Sequence, residues 1–460
     1  MSASEQPLSR KTVATYAIGS LGTGGFATLP GLVLVYYLTD NLGLAAILSG
    51  VVVTVAKVWD VFIDPLIGSW SDRSLRLHGT RRRFMVLGGL LLPVFFIVTF
   101  AVPIGLPSGI SALWVFVAFV LTATAFSLFQ VPYIALPAEL TGSYNQRTRL
   151  LTMRVMVLTV AILLFGAGGP ALRNLGGDNH YAGYLLMAVV AGVVIGVGML
   201  VSSRVAPVGV PASSAATPEA SAGGYRAGLA ALRRSQPFRV LVVSFLLQAL
   251  ATGLMLAGAQ YIATYVLNSE DAVTYLFVAL IAPAIVFAPV WAAIARRIGK
   301  ERGFMIASIL YGIAALSMVG LLWAPGAWVY LPVALAGAGY AGMQSLPMSM
   351  LPDVISYDAR TSGPGAAGAF GGIWTAGETT GMALGATALT VILALSGYVS
   401  SFGDQHATQS PTAIAGIVLS FSVVPAVFIG ASLIALSRYR LRRSDIDSLV
   451  ESAPASEVVA

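Results

Sequence analysis

The sequence predicts an all-α membrane protein of twelve transmembrane helices arranged as two six-helix halves. Three observations carry that prediction: the composition, the spacing of apolar segments, and the one-sided placement of Lys and Arg. Of 460 residues, 57% are hydrophobic and only 10% are charged, with a mean hydropathy of +0.84. An ordinary soluble domain carries roughly 25% charged residues.

At about 20 apolar residues per span, helices are expected near residues 12–38, 44–70, 84–104, 112–136, 148–170 and 182–202. Six more follow near 237–266, 272–295, 304–323, 328–350, 366–397 and 411–437. The stretch between the two sets, "SSRVAPVGVPASSAATPEASAGGYRAGLAALRRSQ", is rich in Ala, Ser, Gly and Pro and buries too little apolar surface to pack as a domain. It reads as a linker with a short helix around residues 227–234, lying at the surface or docked on the membrane as an amphipathic segment. The organisation expected is a first half over 1–203, a linker over 204–236, a second half over 237–437 and a tail over 438–460.

The basic residues test this threading. Arg10 and Lys11, the run from Arg73 to Arg83, Arg147 and Arg149, the linker from Arg204 to Arg234, the turn from Arg296 to Arg302, Arg360, and the run from Arg438 to Arg443 all fall on one side. Only Arg173 falls in a loop on the other side, and Lys57, Arg154 and Arg239 sit in or at the ends of helices. The positive-inside rule then makes both termini and the linker cytoplasmic, in a multi-pass protein of the plasma (cell inner) membrane. The opening "MSASEQPLSRK" has no cleavable-signal pattern, so the amino terminus is expected to be retained. The net charge of +7 marks topology and not nucleic-acid binding.

Several chemistries are excluded. There is no cysteine, and the three histidines, His78, His180 and His406, fall in predicted loops, which leaves nothing for disulfides, thiolate metal sites or zinc. No Ser/His/Asp set, phosphate-binding glycine loop or metal-ligand cluster points to an enzyme, and no cofactor is expected beyond a coupling cation.

Chemistry concentrates in "KVWDVFIDPLIGSWSDRS", where Lys57, Asp60 and Asp64 lie inside an apolar helix at i, i+3 and i+7. That spacing puts them on one stripe, and intramembrane charges are costly and functional by default. Two carboxylates against one lysine leave a net negative site that suits a monovalent cation or a proton, with oxygen as the ligand that hard cations prefer. The alternative is structural: the acids pair with Lys57 and with Arg154 of helix 5 to hold helices together. Pro65 removes one backbone donor and frees a carbonyl nearby.

Helix 2 runs into "GSWSDRSLRLHGTRRRF" and helix 8 into "PVWAAIARRIGKERGF", an aromatic residue followed by a basic turn in each. Parallel six-helix repeats are the architecture of major facilitator transporters, with the substrate site at the midplane. Gly68, Asp72, Arg73, Arg81 and Arg82 resemble the helix 2 to 3 loop of that superfamily, which implies a gating latch on the cytoplasmic side; the other reading is a solvated charge run.

"KVWDVFIDPLIGSWSDR", with "YYLTDNLGL" before it and "LPDVISYDARTSG" after helix 10, resembles the melibiose permease-like glycoside-pentoside-hexuronide:cation symporter family over the full chain. The resemblance implies that Asp60 and Asp64 bind the coupling cation, Na⁺ or H⁺, and that Lys57 and Arg154 occupy the family's basic positions. It also exposes departures. The family's sugar-reading acids in helices 1 and 4 correspond to Gly24 or its neighbour and to Gln130, and its helix 11 lysine to Thr379 or its neighbour. Recognition of a melibiose-like disaccharide is therefore not expected. Gln130, Tyr133, Tyr36, Tyr37, Gln344 and Trp374 are candidates for substrate contact wherever they face the cavity.

Glu378, in "GGIWTAGETTGMALG", is an acid where none is expected. It has three readings: a carrier of the coupling proton, a contact for a cationic substrate group, or a partner of Lys57 or Arg154. Gly377, Gly381 and Gly385 recur every four residues beside it and predict a close helix contact.

The function expected is cation-coupled symport of a sugar, glycoside or related small organic solute by alternating access, with cation and substrate binding jointly favouring one state. The partners are a small-molecule substrate and the lipid bilayer, for a monomer. A second class is an exporter or an amphiphile carrier of the lysophospholipid-transporter or drug-efflux kind. A third, a non-transporting receptor, leaves the repeat and the acid pair without a use.

Overall fold

The computed structural model describes residues 8–141, 144–207, 224–362, 367–402 and 407–441. The described chain is helical, apart from turns and an isolated antiparallel bridge between Leu42 and Phe402. In chain order the helices are α1 (Arg10–Ile18), α2 (Ser20–Tyr36), α3 (Ala46–His78), α4 (Arg82–Phe100), α5 (Ser108–Leu140), α6 (Tyr144–Asn174) and α7 (His180–Ser203). Then comes α8 (Gly224–Arg234). It is followed by α9 (Gln236–Tyr261), α10 (Ala272–Ile298), α11 (Lys300–Ser317), α12 (Tyr330–Ser362), α13 (Ala367–Leu395), α14 (Pro411–Phe421) and α15 (Val423–Leu436).

Among the described residues, eleven helical segments are long and apolar enough to cross a membrane. Helix α12 has the length too, with Gln344, Ser345, Ser349 and Asp353 diluting its apolar run. Every expected segment has a helix, and three helices extend well beyond the apolar window. α3 continues to His78, α5 to Leu140 and α12 to Ser362, because the hydrogen-bond ladder does not stop where the apolar residues do. α3 stops at Gly79, whose φ of 66° closes the helix with a bond from its N–H to the Leu75 carbonyl at 2.9 Å. Pro65 does not break α3.

Three expectations about loops are corrected. His78 ends α3 and His180 begins α7, so both belong to helices; His406 lies outside the described residues. Arg173 is also helical, in the last turn of α6, and only 2% exposed. Helix propensity is compatible with all three side chains, and sequence alone misplaced the helix ends.

By internal packing the chain forms two units. The first comprises Met1–Pro218, Ala259–Phe277 and Ala386–Ile414. In it α4 packs on α5 and α7, α2 on α6, and α3 on α5. The exposed stripe of α3 is Val51, Val55, Val58, Phe62, Leu66 and Trp70, and the opposite face buries Val53, Ala56, Ile63 and Ile67. Asp60 falls on that inner face, with Asp64 and Lys57 at its edge. Helix α2 ends in a π-helical turn at Tyr37–Asn41, and α9 ends in the same kind of turn at Ile262–Val266.

The second unit comprises Glu219–Gly258, Val278–Gly385 and Ala415–Ala460, with α11 packed on α12 and α15. The glycine spacing in α13 does what it predicts. A Cβ at Gly381 would stand 2.7 Å from the Ala249 Cβ, and one at Gly385 would stand 2.4 Å from the Leu250 carbonyl oxygen. The α9 and α13 backbones therefore touch with nothing between them.

Gly385→Ala is expected to destabilise the protein by about 1–3 kcal/mol, the usual penalty for overpacking against atoms that cannot move aside. Gly371→Ala, in the same helix with open space around it, is expected to be neutral or stabilising by about 0.5–1 kcal/mol through helix propensity. Thermal unfolding of the purified protein in detergent checks the ordering, and equal midpoints for the two variants refute it.

Candidate functional site

The α3 stripe brings Lys57 and Asp60 together, with the Lys57 Nζ 3.5 Å from Asp60 Oδ2. The ammonium also stands 5.2 Å from the centre of the Phe26 ring of α2, a cation–π contact on its other side. Asp64 lies one turn further on, with the buried Ser127 of α5 beside it. Asp60 Oδ1 and Asp64 Oδ1 are both buried and accept no hydrogen bond. An orphaned carboxylate oxygen inside an apolar helix is costly, and two of them one turn apart are a donor set that fits a small hard cation. Ser127, which carries no charge and no motif, gave no signal in the sequence.

Arg154 does not join the acids. Its guanidinium lies 5.3 Å from the centre of the Tyr133 ring, next to Tyr16. Tyr133 is fully buried, stacked on Tyr16 at 4.7 Å between ring centres, and its hydroxyl is 3.0 Å from both Ser20 Oγ and the Tyr16 carbonyl. Gln130 accepts a hydrogen bond from the Thr23 hydroxyl at 2.7 Å, leaving its amide NH₂ for other use. Gly24 has a packing reason: a Cβ there would stand 2.7 Å from the Ala161 Cβ of α6. No acid fits at that position without moving α6 away. Tyr36 and Tyr37 are core residues; the first donates to Thr264 Oγ1 at 3.2 Å, the second to the Phe100 carbonyl at 3.1 Å.

In the second unit, Gln344 donates to the Tyr340 hydroxyl at 2.7 Å, and Tyr340 is the titratable neighbour of Glu378. Trp374 is 3% exposed and stacks on Phe245 at 4.1 Å, with its indole N–H buried and without an acceptor. Thr379, next to Glu378 on α13, is partly exposed.

The latch residues divide into two groups. Arg81 is buried and binds both the Asp72 carboxylate of α3 and the Glu139 carboxylate of α5 at 2.5 Å, while also donating to Ser71 Oγ at 2.8 Å. Burial pushes the Glu139 carboxyl above its ordinary range, and the Arg81 guanidinium pulls the other way. Arg73 is exposed, Arg82 begins α4, and Gly68 has only Val131 near its missing Cβ. The second unit has a counterpart: Lys300, opening α11, meets Asp353 of α12 at 2.5 Å and the Ser349 carbonyl at 2.9 Å. The signal for Glu139 was its place in "LPAEL", which echoes Asp353 in "LPDVI".

A further buried acid escaped the sequence reading. Asp40, 1% exposed in the π-helical turn after α2, accepts from the Tyr265, Tyr398 and Thr39 hydroxyls; Tyr398 reaches Oδ1 at 2.7 Å and Oδ2 at 2.8 Å. Near it in the same unit, Arg173 pairs with Glu270 at 3.2 Å and lies 5.9 Å from the Tyr36 ring centre.

The chain matches the MFS/sugar transport protein family over residues 15–443. It is 25% identical to the glucuronide carrier protein homolog of Escherichia coli (strain K12), over 97% of this chain and 95% of that protein. It is 24% identical to the isoprimeverose transporter of Lactiplantibacillus pentosus, over 95% of this chain and 90% of that protein. In structure it resembles the nucleoside transporter NupG, with a TM-score of 0.66 at 13% identity over 94% of this chain and 98% of that one. With an all-helical, membrane-spanning fold and these relatives, the chain belongs to the MFS/sugar transport protein family and is a multi-pass membrane transporter of the glycoside-pentoside-hexuronide:cation symporter kind, not an enzyme.

Proposed function

We propose that this protein is a cation-coupled symporter of a sugar, glycoside or related small hydroxylated solute, with Asp60 and Asp64 as the cation site. The observation that carries the reading is the pair of buried, unbonded carboxylate oxygens one turn apart on the inner face of α3. Lys57 offsets one negative charge, so the pair attracts one monovalent cation. Cation binding draws the acids together, and a state in which substrate also fits is favoured by the joint binding energy. Relatives named as symporters support the coupling. Within the first unit, Gln130 is the substrate contact of this reading, because α6 leaves no room for an acid at Gly24. We place the protein in the plasma membrane with twelve spans, α12 included, six on each side of the 204–236 linker, and with both termini cytoplasmic, on the distribution of Lys and Arg.

Two ionic clusters act as latches in this reading. Arg81 with Asp72 and Glu139 fastens the cytoplasmic ends of α3, α4 and α5. Asp40 with Tyr265 and Tyr398 fastens the opposite ends of α2, of the turn after α9, and of the segment after α13.

Na⁺, compared with choline at equal ionic strength, is expected to raise the unfolding midpoint of the wild type and not that of Asp64→Asn. A ligand held only by the folded state contributes about 2.7 kcal/mol at a hundred times its dissociation constant. A pH-dependent midpoint that Asp64→Asn flattens, without any Na⁺ effect, assigns the site to protons. Insensitivity to both leaves the acids structural. Arg81→Ala strands two carboxylates and is expected to cost about 3–5 kcal/mol, as for other broken buried pairs. The exposed Arg73→Ala should stay within about 0.5 kcal/mol in the same unfolding assay. Asp40→Asn replaces an acceptor oxygen with a donor, leaving one tyrosine hydroxyl unmet at about 1–3 kcal/mol. In this cysteine-free chain, a single cysteine at Ser401 should then react faster with a maleimide, and an unchanged rate argues against the outer latch.

A further inference from the structure

Among the described residues, no basic side chain pairs with Glu378. Asp60 has Lys57 and Asp40 has three hydroxyl donors, whereas Glu378 takes part in no ion pair and no hydrogen bond among the described residues. The helices packed on its turn explain why. From α9, Val242 and Leu246 face Gly377, Leu246 and Ala249 meet Gly381, and Phe245 covers Trp374. From α12, Tyr340 is the titratable group near it, and its phenol receives the Gln344 amide. None of these neighbours is positively charged. Lys300 and Arg234, two basic residues of this unit, are bound to Asp353 and Asp358.

An intramembrane carboxylate in neutral surroundings takes its neutralising partner from solution. We propose that Glu378 is a proton-binding site in its own right, separate from Asp60 and Asp64, so that the second half carries a proton whatever cation the first half binds. The carboxylate accepts the proton from water and becomes a neutral carboxyl, with one O–H to donate and one carbonyl to accept. One turn away, the Trp374 indole N–H is buried without an acceptor. Protonated Glu378 and Trp374 together offer two donors and an acceptor to a neutral, hydroxyl-bearing solute, and deprotonation removes one of those donors and adds a charge. Substrate affinity and proton occupancy at Glu378 are thereby linked.

The test uses the full-length protein in detergent, in sodium-free buffer, and records infrared difference spectra between acid and alkaline conditions across about pH 5 to 9, the range that buried carboxyls reach. A protonated carboxyl shows as a C=O stretch that disappears on ionisation. Wild type is expected to show the band, the Asp60→Asn/Asp64→Asn double variant to keep a component of it, and Glu378→Gln to lose that component. Glu378→Asp, which keeps the acid on a shorter arm, is expected to shift the component and not remove it, and serves if the glutamine variant does not fold. A band left whole by Glu378→Gln and abolished by the double variant overturns the proposal, as does the absence of any band in the double variant. The outcome does not depend on the Na⁺ stabilisation of the first-half acids, so failure of either assignment is visible separately.

Discussion

A carboxylate inside a membrane-spanning helix has to be neutralised where it stands, because hydrocarbon supplies neither water nor counter-ions. The acids of this transporter meet that demand differently. Asp40 is surrounded by hydroxyl donors from three chain segments. Asp60 leans on Lys57, and Asp64 has Ser127 beside it. Among the described residues, Tyr340 is the titratable neighbour of Glu378, and its hydroxyl already receives the Gln344 amide. The order of compensation runs from complete to nearly none, and on the function proposed above it separates acids that hold the structure from acids that exchange a ligand. A fully satisfied carboxylate gains nothing from a passing cation; one with a buried, unbonded oxygen does.

Close helix packing sets where those differences can exist. α2 meets α6 at Gly24, and α13 meets α9 at Gly381 and Gly385, with backbone atoms within reach of any added Cβ. Such contacts exclude side chains and solutes alike. Polar groups have room only where larger residues hold helices apart, as at Phe26 beside Lys57 and at Phe245 beside Trp374. A larger side chain at Gly24 is thus excluded by the packing of α6, at about 1–3 kcal/mol.

Much of this was legible in the sequence. The helical, membrane-spanning character of the apolar segments followed from their length, because a span must satisfy its own backbone. Asp60, Asp64 and Glu378 were legible because charges are rare in such helices. Lys57 was legible as a partner and pairs with Asp60; the other partners were not. Arg154, three spans further along the chain, was expected to pair with the acids, and in space its guanidinium lies over the Tyr133 ring. Arg81 reads as one of three adjacent arginines, and only tertiary packing buries it against Glu139 while Arg73 stays in solvent. Asp40 looked like the polar end of a span, since nothing local reveals that Tyr398 from a distant segment would reach it.

The two π-helical turns share one pattern of backbone bonds. In the first, Leu42 N–H bonds the Tyr37 carbonyl and Leu44 N–H bonds that of Leu38; in the second, Leu267 bonds Ile262 and Ser269 bonds Ala263. Gly43 and Asn268 follow at matching positions, both with positive φ, which glycine and asparagine tolerate best. Counted along the two turns, Asp40 and Tyr265 are equivalent residues, as are Tyr36 and Tyr261, and each pair is in contact. A contact between equivalent positions brings like against like. Two aspartates there would repel and two tyrosines would crowd. One acceptor and one donor at these matching positions make the contact a charge-assisted hydrogen bond.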